Sequence, residues 1–528
     1  MNNKILLGVA ISIASLQVAA VPFAPTDARA MAMGGTGVAS AKTVHAVQFN
    51  PSLLSNAEEE DDFGVLLQGG GYVADEDEFV DSADQFVEDD FATAFEDSVN
   101  NIEGAVSSAT DSFPAVDAAI TAEDLTALSI ANAQLASDVT SLKAGTVDLQ
   151  GATDALNDGL RTLSNKALRG GLGFGAGIAI PSKKFSVAVS ANNSTTFSGV
   201  LRIAESDLST LSNYTNATNA YATSLDEYSQ ASSAATITLA ALDAEQNAAI
   251  PDIDEILRLG NQLDADQQAL STANDNLSGF NYGGTSTPGV DDGDQVIFQG
   301  GELAPGTDEI TLESEAHIIA VALTEVALSI SREFDFSGHA VAIGISPKLQ
   351  RMDVYDYIVN VEDDVETDDI SDFGVDDTGF NLDIGTSMQF GAEKQGKVGI
   401  VFKNLISNEL TSVNGLVVEI SPQVRAGVSY EAFGWINIAA DLDLIENDPV
   451  AFEDASQFMA LGLELDVFGF MQGRAGYRTN LASTGQEVIS LGFGLSPFSL
   501  FHIDLGVYTN TSDPEKEVGA VFELGVDW

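Results

Sequence analysis

The 528-residue chain carries 80 Asp and Glu against 21 Lys and Arg, a formal charge of -59, which would repel a phosphate backbone and excludes nucleic-acid binding through a basic surface. A composition of 45% hydrophobic residues with 48 glycines excludes a disordered chain, and the lack of any apolar run of about 20 residues beyond the N-terminus excludes a bundle of membrane-spanning helices. There is no cysteine, which removes disulfide scaffolds, thiol redox motifs and Cys-based zinc sites and suits an oxidising compartment.

Residues 1–20 read as a signal peptide. Lys4 supplies the positive start, residues 5–16 an apolar stretch, and Val18-Ala19-Ala20 the small residues of a cleavage site, so the mature chain begins near Val21. Twelve apolar residues are too few to span a bilayer as a helix, which needs ~17 or more. Export follows, and with it a place in the cell envelope.

From residue 63 onward the hydropathy alternates with a period of two. Phe380, Leu382, Ile384, Thr386 and Met388 share one face, and Asn381, Asp383, Ser387 and Gln389 the other. Ile436, Ile438 and Leu442 likewise oppose Asp441 and Asp443, and Leu461, Leu463 and Leu465 oppose Glu464. Fourteen such segments are predicted: 63–74, 168–180, 185–200, 314–332, 339–352, 379–390, 397–405, 419–431, 435–444, 457–467, 470–480, 487–495, 499–509 and 518–528. Strands with one apolar and one charged face fit a closed barrel with lipid outside and a polar lumen. The connections sort in the same way, with short links after even-numbered strands and long or acidic ones after odd-numbered strands. Phe433, Trp435, Phe468, Phe470, Phe498 and Trp528 collect at the short-turn end as an aromatic girdle. Asp383, Lys403, Arg425, Asp441, Glu464, Arg474, Arg478 and Asp504 are expected to face the lumen as an ion-pair network.

Two connections are long enough to be modules. In 75–167 the residues Leu128, Leu135, Leu142, Leu149, Leu156 and Leu163 recur every seven positions. In 201–313 a heptad runs through Tyr214, Tyr221, Tyr228, Ala235, Leu242, Ala249, Ile256, Leu263, Leu270 and Leu277. Both predict coiled-coil helices in extracellular loops, the second divided at Pro251 with a restart near Asp252. Between residues 353 and 378 there are eleven Asp and Glu and no Lys or Arg. Their spacing matches no calcium loop, so they read as solvated surface, and no metal or cofactor is assigned.

Catalytic constellations are missing from the pattern. His45, His317, His339 and His502 show no HxxxH spacing, and no serine sits in a G-x-S-x-G elbow. Gly34-Gly35-Thr36-Gly37 lacks the Lys of a phosphate loop. The expectation is a protein that is not an enzyme.

Asp27-Ala28-Arg29-Ala30-Met31-Ala32-Met33-Gly34-Gly35-Thr36-Gly37 followed by Phe49-Asn50-Pro51-Ser52-Leu53-Leu54 resembles the N-terminal signature of the FadL-like superfamily of outer-membrane barrels. Val398-Gly399-Ile400-Val401-Phe402-Lys403, Ser421-Pro422-Gln423-Val424-Arg425-Ala426-Gly427 and Arg474-Ala475-Gly476-Tyr477-Arg478 resemble strand motifs of the conjugal transfer TraF-type outer-membrane proteins. The last strand, with Phe522, Leu524, Val526 and a terminal Trp528, looks like the signal that such barrels present to their assembly machinery. The resemblance implies an all-β transmembrane barrel of about 14 antiparallel strands (63–528), with residues 21–62 folded into the lumen as a plug. Arg29, Gly34, Gly35, Asn50 and Pro51 would belong to that plug, Arg29 ion-paired among Asp383, Asp441, Glu464 and Asp504. It further implies outer-membrane lipid and lipopolysaccharide as surroundings, and a role in conjugative transfer or cell-surface contact through a partner on another surface. A channel for hydrophobic small molecules and a purely structural envelope protein are the alternatives.

Overall fold

The computed structural model describes residues 27–56, 63–122, 124–283, 296–304, 312–336, 339–361, 363, 372–447, 452, 454–497 and 500–527. The predicted signal peptide, Phe498 and Trp528 lie outside them, as does most of the acidic run 362–371. The chain divides into two compact units, one built from 82–164 and 203–314, the other from the remaining described residues.

The larger unit is a closed barrel of fourteen strands. They are β1 Gly64–Ala74, β2 Ala167–Ile180, β3 Ser186–Arg202, β4 Glu315–Phe336, β5 His339–Asn360, β6 Gly374–Phe390, β7 Gly396–Lys403, β8 Gln423–Ala432, β9 Ile436–Asp443, β10 Phe458–Val467, β11 Met471–Asn480, β12 Val488–Leu495, β13 Phe501–Asn510 and β14 Glu517–Asp527. Every neighbour pairs antiparallel, and the ring is closed by β1 on β14 with Gly64 opposite Asp527 and Ala74 opposite Glu517. The alternation has a direct physical reading. Phe380, Ile438, Leu461, Leu491, Leu505 and Phe522 are exposed, while Asn381, Asp441, Glu464, Ser490, Asp504 and Glu523 on the opposite face are buried. A ring whose outside is apolar all round and whose inside is polar is stable only where hydrocarbon replaces water, with every backbone group satisfied inside the ladder. The barrel therefore spans a membrane.

The short turns show what lipid contact permits. Phe433-Gly434 and Phe468-Gly469 both have positive φ at each residue (59° and 72°, 62° and 72°), the backbone of a tight hairpin turn usually taken by Asn-Gly. Phenylalanine is strained there, yet both rings are more than four-fifths exposed, as residues of an interfacial girdle would be. Between β4 and β5 the ladder runs to Ala327–Lys348 and resumes at Ile330–Ile345. Pro347, which has no N–H to donate, lies in that gap, and the hydroxyls of Ser329 and Ser346 meet across it at 2.6 Å.

One predicted strand is corrected. Residues 419–431 do not form a single strand: Val417–Ile420 pairs with Asn408–Thr411 as a separate hairpin, and Ser421-Pro422 separates it from β8. Val418 and Ile420 pack on Ile319, Val321, Leu323, Met352 and Val354. These residues give the inner wall an apolar patch at the long-connection end of β4 and β5.

The smaller unit is helical. Its core is shared by the helices Phe91–Thr121, Leu125–Leu163, Glu205–Gln246 and Ile253–Ser278. Leu128, Leu135, Leu142, Leu149, Leu156 and Leu163 are all buried, as are Tyr214, Tyr221, Tyr228 and Ala235. Hydrogen bonds fix the antiparallel register of the second and third helices: Asn132 with Thr236 (2.6 Å), Thr153 with Thr215 (2.8 Å) and Asn157 with Ser212 (3.2 Å). The predicted heptad breaks earlier than expected. The third helix stops at Gln246, Ala249 is exposed in the link, and the fourth begins after Asp252, whose carboxylate accepts the N–H groups of Asp254 and Glu255. The helix Phe91–Thr121 lies within the 75–167 stretch read as helical, although the heptad there begins only at Leu125. Inside the core Tyr221 stacks on Phe298 at 4.6 Å and Tyr228 meets Phe113 edge-on at 5.4 Å. Burial pushes both phenols above their ordinary pKa, with Asp117 beside Tyr228 adding to the rise.

Candidate functional site: the plugged lumen

Residues 27–56 run inside the barrel, and nearly all of them are buried. The plug starts with a one-turn helix, Ala28–Ala32, whose N-cap Asp27 accepts the Ala30 N–H through Oδ1 at 2.6 Å. Gly34 and Gly35 then reverse the chain with φ of 74° and 91°, a backbone region open to glycine. Gly34 donates its N–H to Ser490 Oγ at 3.0 Å, and a Cβ on it would lie 2.6 Å from the Tyr477 carbonyl oxygen.

The lumen charges meet this segment one by one. Arg29 donates from Nε and Nη2 to the two oxygens of Glu464, both at 2.8 Å, and from Nη1 to the Ser40 carbonyl at 2.7 Å. Arg474 donates to the same carboxylate at 2.7 Å and also pairs with Asp504. Asp441 accepts the backbone N–H groups of Gly37 and Val38 at 2.8 and 2.9 Å. Lys403 reaches the Gln48 carbonyl at 3.1 Å. Asp383 takes Lys348 Nζ at 3.0 Å and the Asn404 N–H at 2.9 Å, whereas Arg425 is paired with Asp443 at 2.6 Å. Arg478 pairs with Glu517 at 3.1 Å under the ring of Phe458. Of the four carboxylates expected around Arg29, then, Glu464 is the one it binds directly. Asn50 bridges Val38 and Thr386 through Nδ2 (3.0 and 3.3 Å) and caps Ser52, which aims Pro51 at the wall. In the last strand Phe522 and Leu524 are exposed and Val526 is half-buried on the same face.

Sequence reasoning missed what makes room for the plug. Inward positions at one level of the wall are glycines that face each other in register: Gly344 with Gly385, Gly399 with Gly427, Gly462 with Gly476, Gly492 with Gly506. An added Cβ would collide with the plug at almost every one: 2.4 Å from Pro51 C at Gly344, 1.9 Å from Asn50 Oδ1 at Gly385, 2.0 Å from Gly34 N at Gly476 and 2.2 Å from Ala32 Cβ at Gly492. The wall is hollowed to the thickness of its backbone where the plug sits. The signal was in the sequence, as glycine recurring at inward parity on neighbouring strands, but it emerges only once the register is known.

An apolar-sided closed barrel, filled by its own N-terminal segment, defines a plugged outer-membrane β-barrel. The chain belongs to the family described as F plasmid transfer operon, TraF, protein, whose profile matches residues 47–443. A search of curated proteins finds no match. Solved structures with similarity include the Pseudomonas putida (P. putida) toluene transporter TodX, at 9% identity over 96% of this chain and 99% of that chain with a TM-score of 0.42. The Ralstonia pickettii toluene transporter TbuX shows 9% identity over 95% and 98%, with a TM-score of 0.41. The monoaromatic hydrocarbon channel CymD shows 9% over 97% and 96%, at 0.39.

Proposed function

We propose that the barrel is an outer-membrane platform that holds the helical unit outside the cell for contact with another surface, in conjugative transfer or a related adhesion. The observation that carries this reading is the helical unit's own core, to which four long helices contribute buried apolar side chains, leucines and tyrosines among them, far more structure than a strand connection needs. Membership of the transfer-protein family supports it. Lipid and lipopolysaccharide surround the barrel in this reading, the assembly machinery engages its last strand, and the protein works without catalysis. The test replaces residues 82–164 and 203–314 by short turns. Mating or cell contact should fall while the barrel still migrates as a heat-modifiable band, and unchanged mating overturns the proposal. An epitope at Ile250 should be reached by antibody on intact cells and one at Lys183 should not.

One observation favours passage of hydrophobic small molecules: the buried apolar patch of Ile319, Val321, Leu323, Met352 and Val354 on the inner wall beneath the 408–420 hairpin. Under that reading Val418→Asp reduces uptake of such compounds, whereas the contact reading leaves uptake unaffected.

A further inference from the structure

His45, His502 and Glu523 lie far apart in sequence and come together where the plug meets β13 and β14. Their ligating atoms lie within 4.8 Å of one another. Glu523 Oε1 is 3.5 Å from His45 Nε2 and 3.2 Å from His502 Nε2. The other oxygen, Oε2, accepts the Ala28 N–H at 3.3 Å, while Oε1, in a fully buried residue, receives no hydrogen bond of acceptable geometry. On the far side of the His45 ring, Nδ1 is 2.5 Å from Asp27 Oδ2. With the Nδ1 proton shared with Asp27, Nε2 faces the Glu523 carboxylate either as an N–H of the imidazolium or, when the ring is neutral, as a lone pair that a cation between the two must satisfy.

We propose that His45, His502 and Glu523 bind one divalent transition-metal ion, Zn²⁺ by the chemistry of the donors, at the junction of plug and wall. Two nitrogens and a carboxylate oxygen are a familiar three-ligand zinc set with a fourth position left for water. Tetrahedral donors at ~2.0–2.1 Å from zinc stand about 3.3 Å apart, close to the two separations from Glu523 Oε1. Asp27 holds the ring of His45 as a carboxylate behind a metal-ligating histidine does, fixing its tautomer and orientation. Glycine clears the place for the other ring: Gly525 faces His502 across the β13–β14 ladder, and a Cβ there would lie 1.9 Å from His502 Nε2. A dication balances the two carboxylates, Asp27 and Glu523, when both imidazoles are neutral. One ion would tie the first described residues of the chain to its last strands.

The full-length protein in detergent, stripped with a chelator, is titrated with Co²⁺ and then Zn²⁺ in an excess of Ca²⁺, which saturates the acidic surface. A single Co²⁺ per chain with the intense visible bands of a tetrahedral nitrogen-containing site, displaced by Zn²⁺, is expected. Glu523→Gln and His502→Ala should weaken binding by more than a hundredfold, and Asp27→Asn by roughly 10–100-fold. His317→Ala, whose ring pairs with Asp356 instead, should bind as the wild type does. Should a ligand variant fail to assemble, the wild-type Co²⁺ spectrum still decides. Weak binding that Ca²⁺ abolishes, an octahedral oxygen-only spectrum, or equal affinity in assembled Glu523→Gln and wild type overturns the proposal.

Discussion

Replacing Glu464 by Ala removes the carboxylate shared by the plug and the wall. Arg474 keeps Asp504, but Arg29 keeps only the Ser40 carbonyl, so a guanidinium buried to 4% exposure is stranded. Stranding one member of a buried pair costs about 3–5 kcal/mol. The plug can escape that cost by leaving the lumen, and since about 1.4 kcal/mol is a factor of ten, its unseated population should rise roughly a hundredfold to several thousandfold. Arg29→Ala should do less, because it leaves Glu464 paired with Arg474, and the double variant should cost less than the sum of the two singles. Planar-bilayer recordings read the population as open events. If Glu464→Ala conducts no more than wild type, or the two substitutions simply add, the Arg29–Glu464 pair does not hold the plug.

Gly476→Ala puts a methyl group 2.0 Å from the Gly34 nitrogen, a backbone atom that cannot swing aside. It should expose residues 27–56 to protease and destabilise the seated plug by about 1–3 kcal/mol. Gly473→Ala on the same strand, with nothing within 4 Å of the new Cβ, should leave both unchanged, and equal protection in the two variants would refute the glycine belt. In the helical unit, the raised pKa of Tyr228 means the native state keeps its proton where the unfolded state, titrating near 10.0, has lost it. Its contribution is therefore complete below pH 10 and fades as pH rises toward the native value. Alkaline unfolding followed by helical circular dichroism should begin later in Tyr228→Phe, and coincident curves would refute this.

The barrel was legible because lipid and a polar lumen impose opposite demands on alternate residues, so Ile438 and Asp441 or Leu461 and Glu464 announce their faces without any register. The lumen charges were legible for the same reason, though their partners were not: which carboxylate Arg29 binds depends on where the plug chain turns at Gly34 and Gly35. The hairpin at 408–420 was merged with β8 because Val417–Ile420 alternates as a membrane strand does, and Ser421-Pro422 alone marks the break. The bounds of the helix Phe91–Thr121 were not legible because its buried face mixes Ile102, Val106, Ala109, Ser112, Val116 and Ala119, without the leucine heptad of its neighbour. The histidine cluster left no trace in spacing at all, since 45, 502 and 523 meet only through closure of the ring.

The glycine belt runs from β5 to β13, while the segment it receives precedes every strand. Residues 27–56 thus leave the ribosome before any strand of the barrel and are among the last to find their seat. Until β10 arrives Arg29 has no Glu464, and until β14 arrives the Ala28 N–H has no Glu523. Seating of the plug is consequently complete only once β14 has come in beside β1, so a segment made before any strand takes its final contact from the last of them.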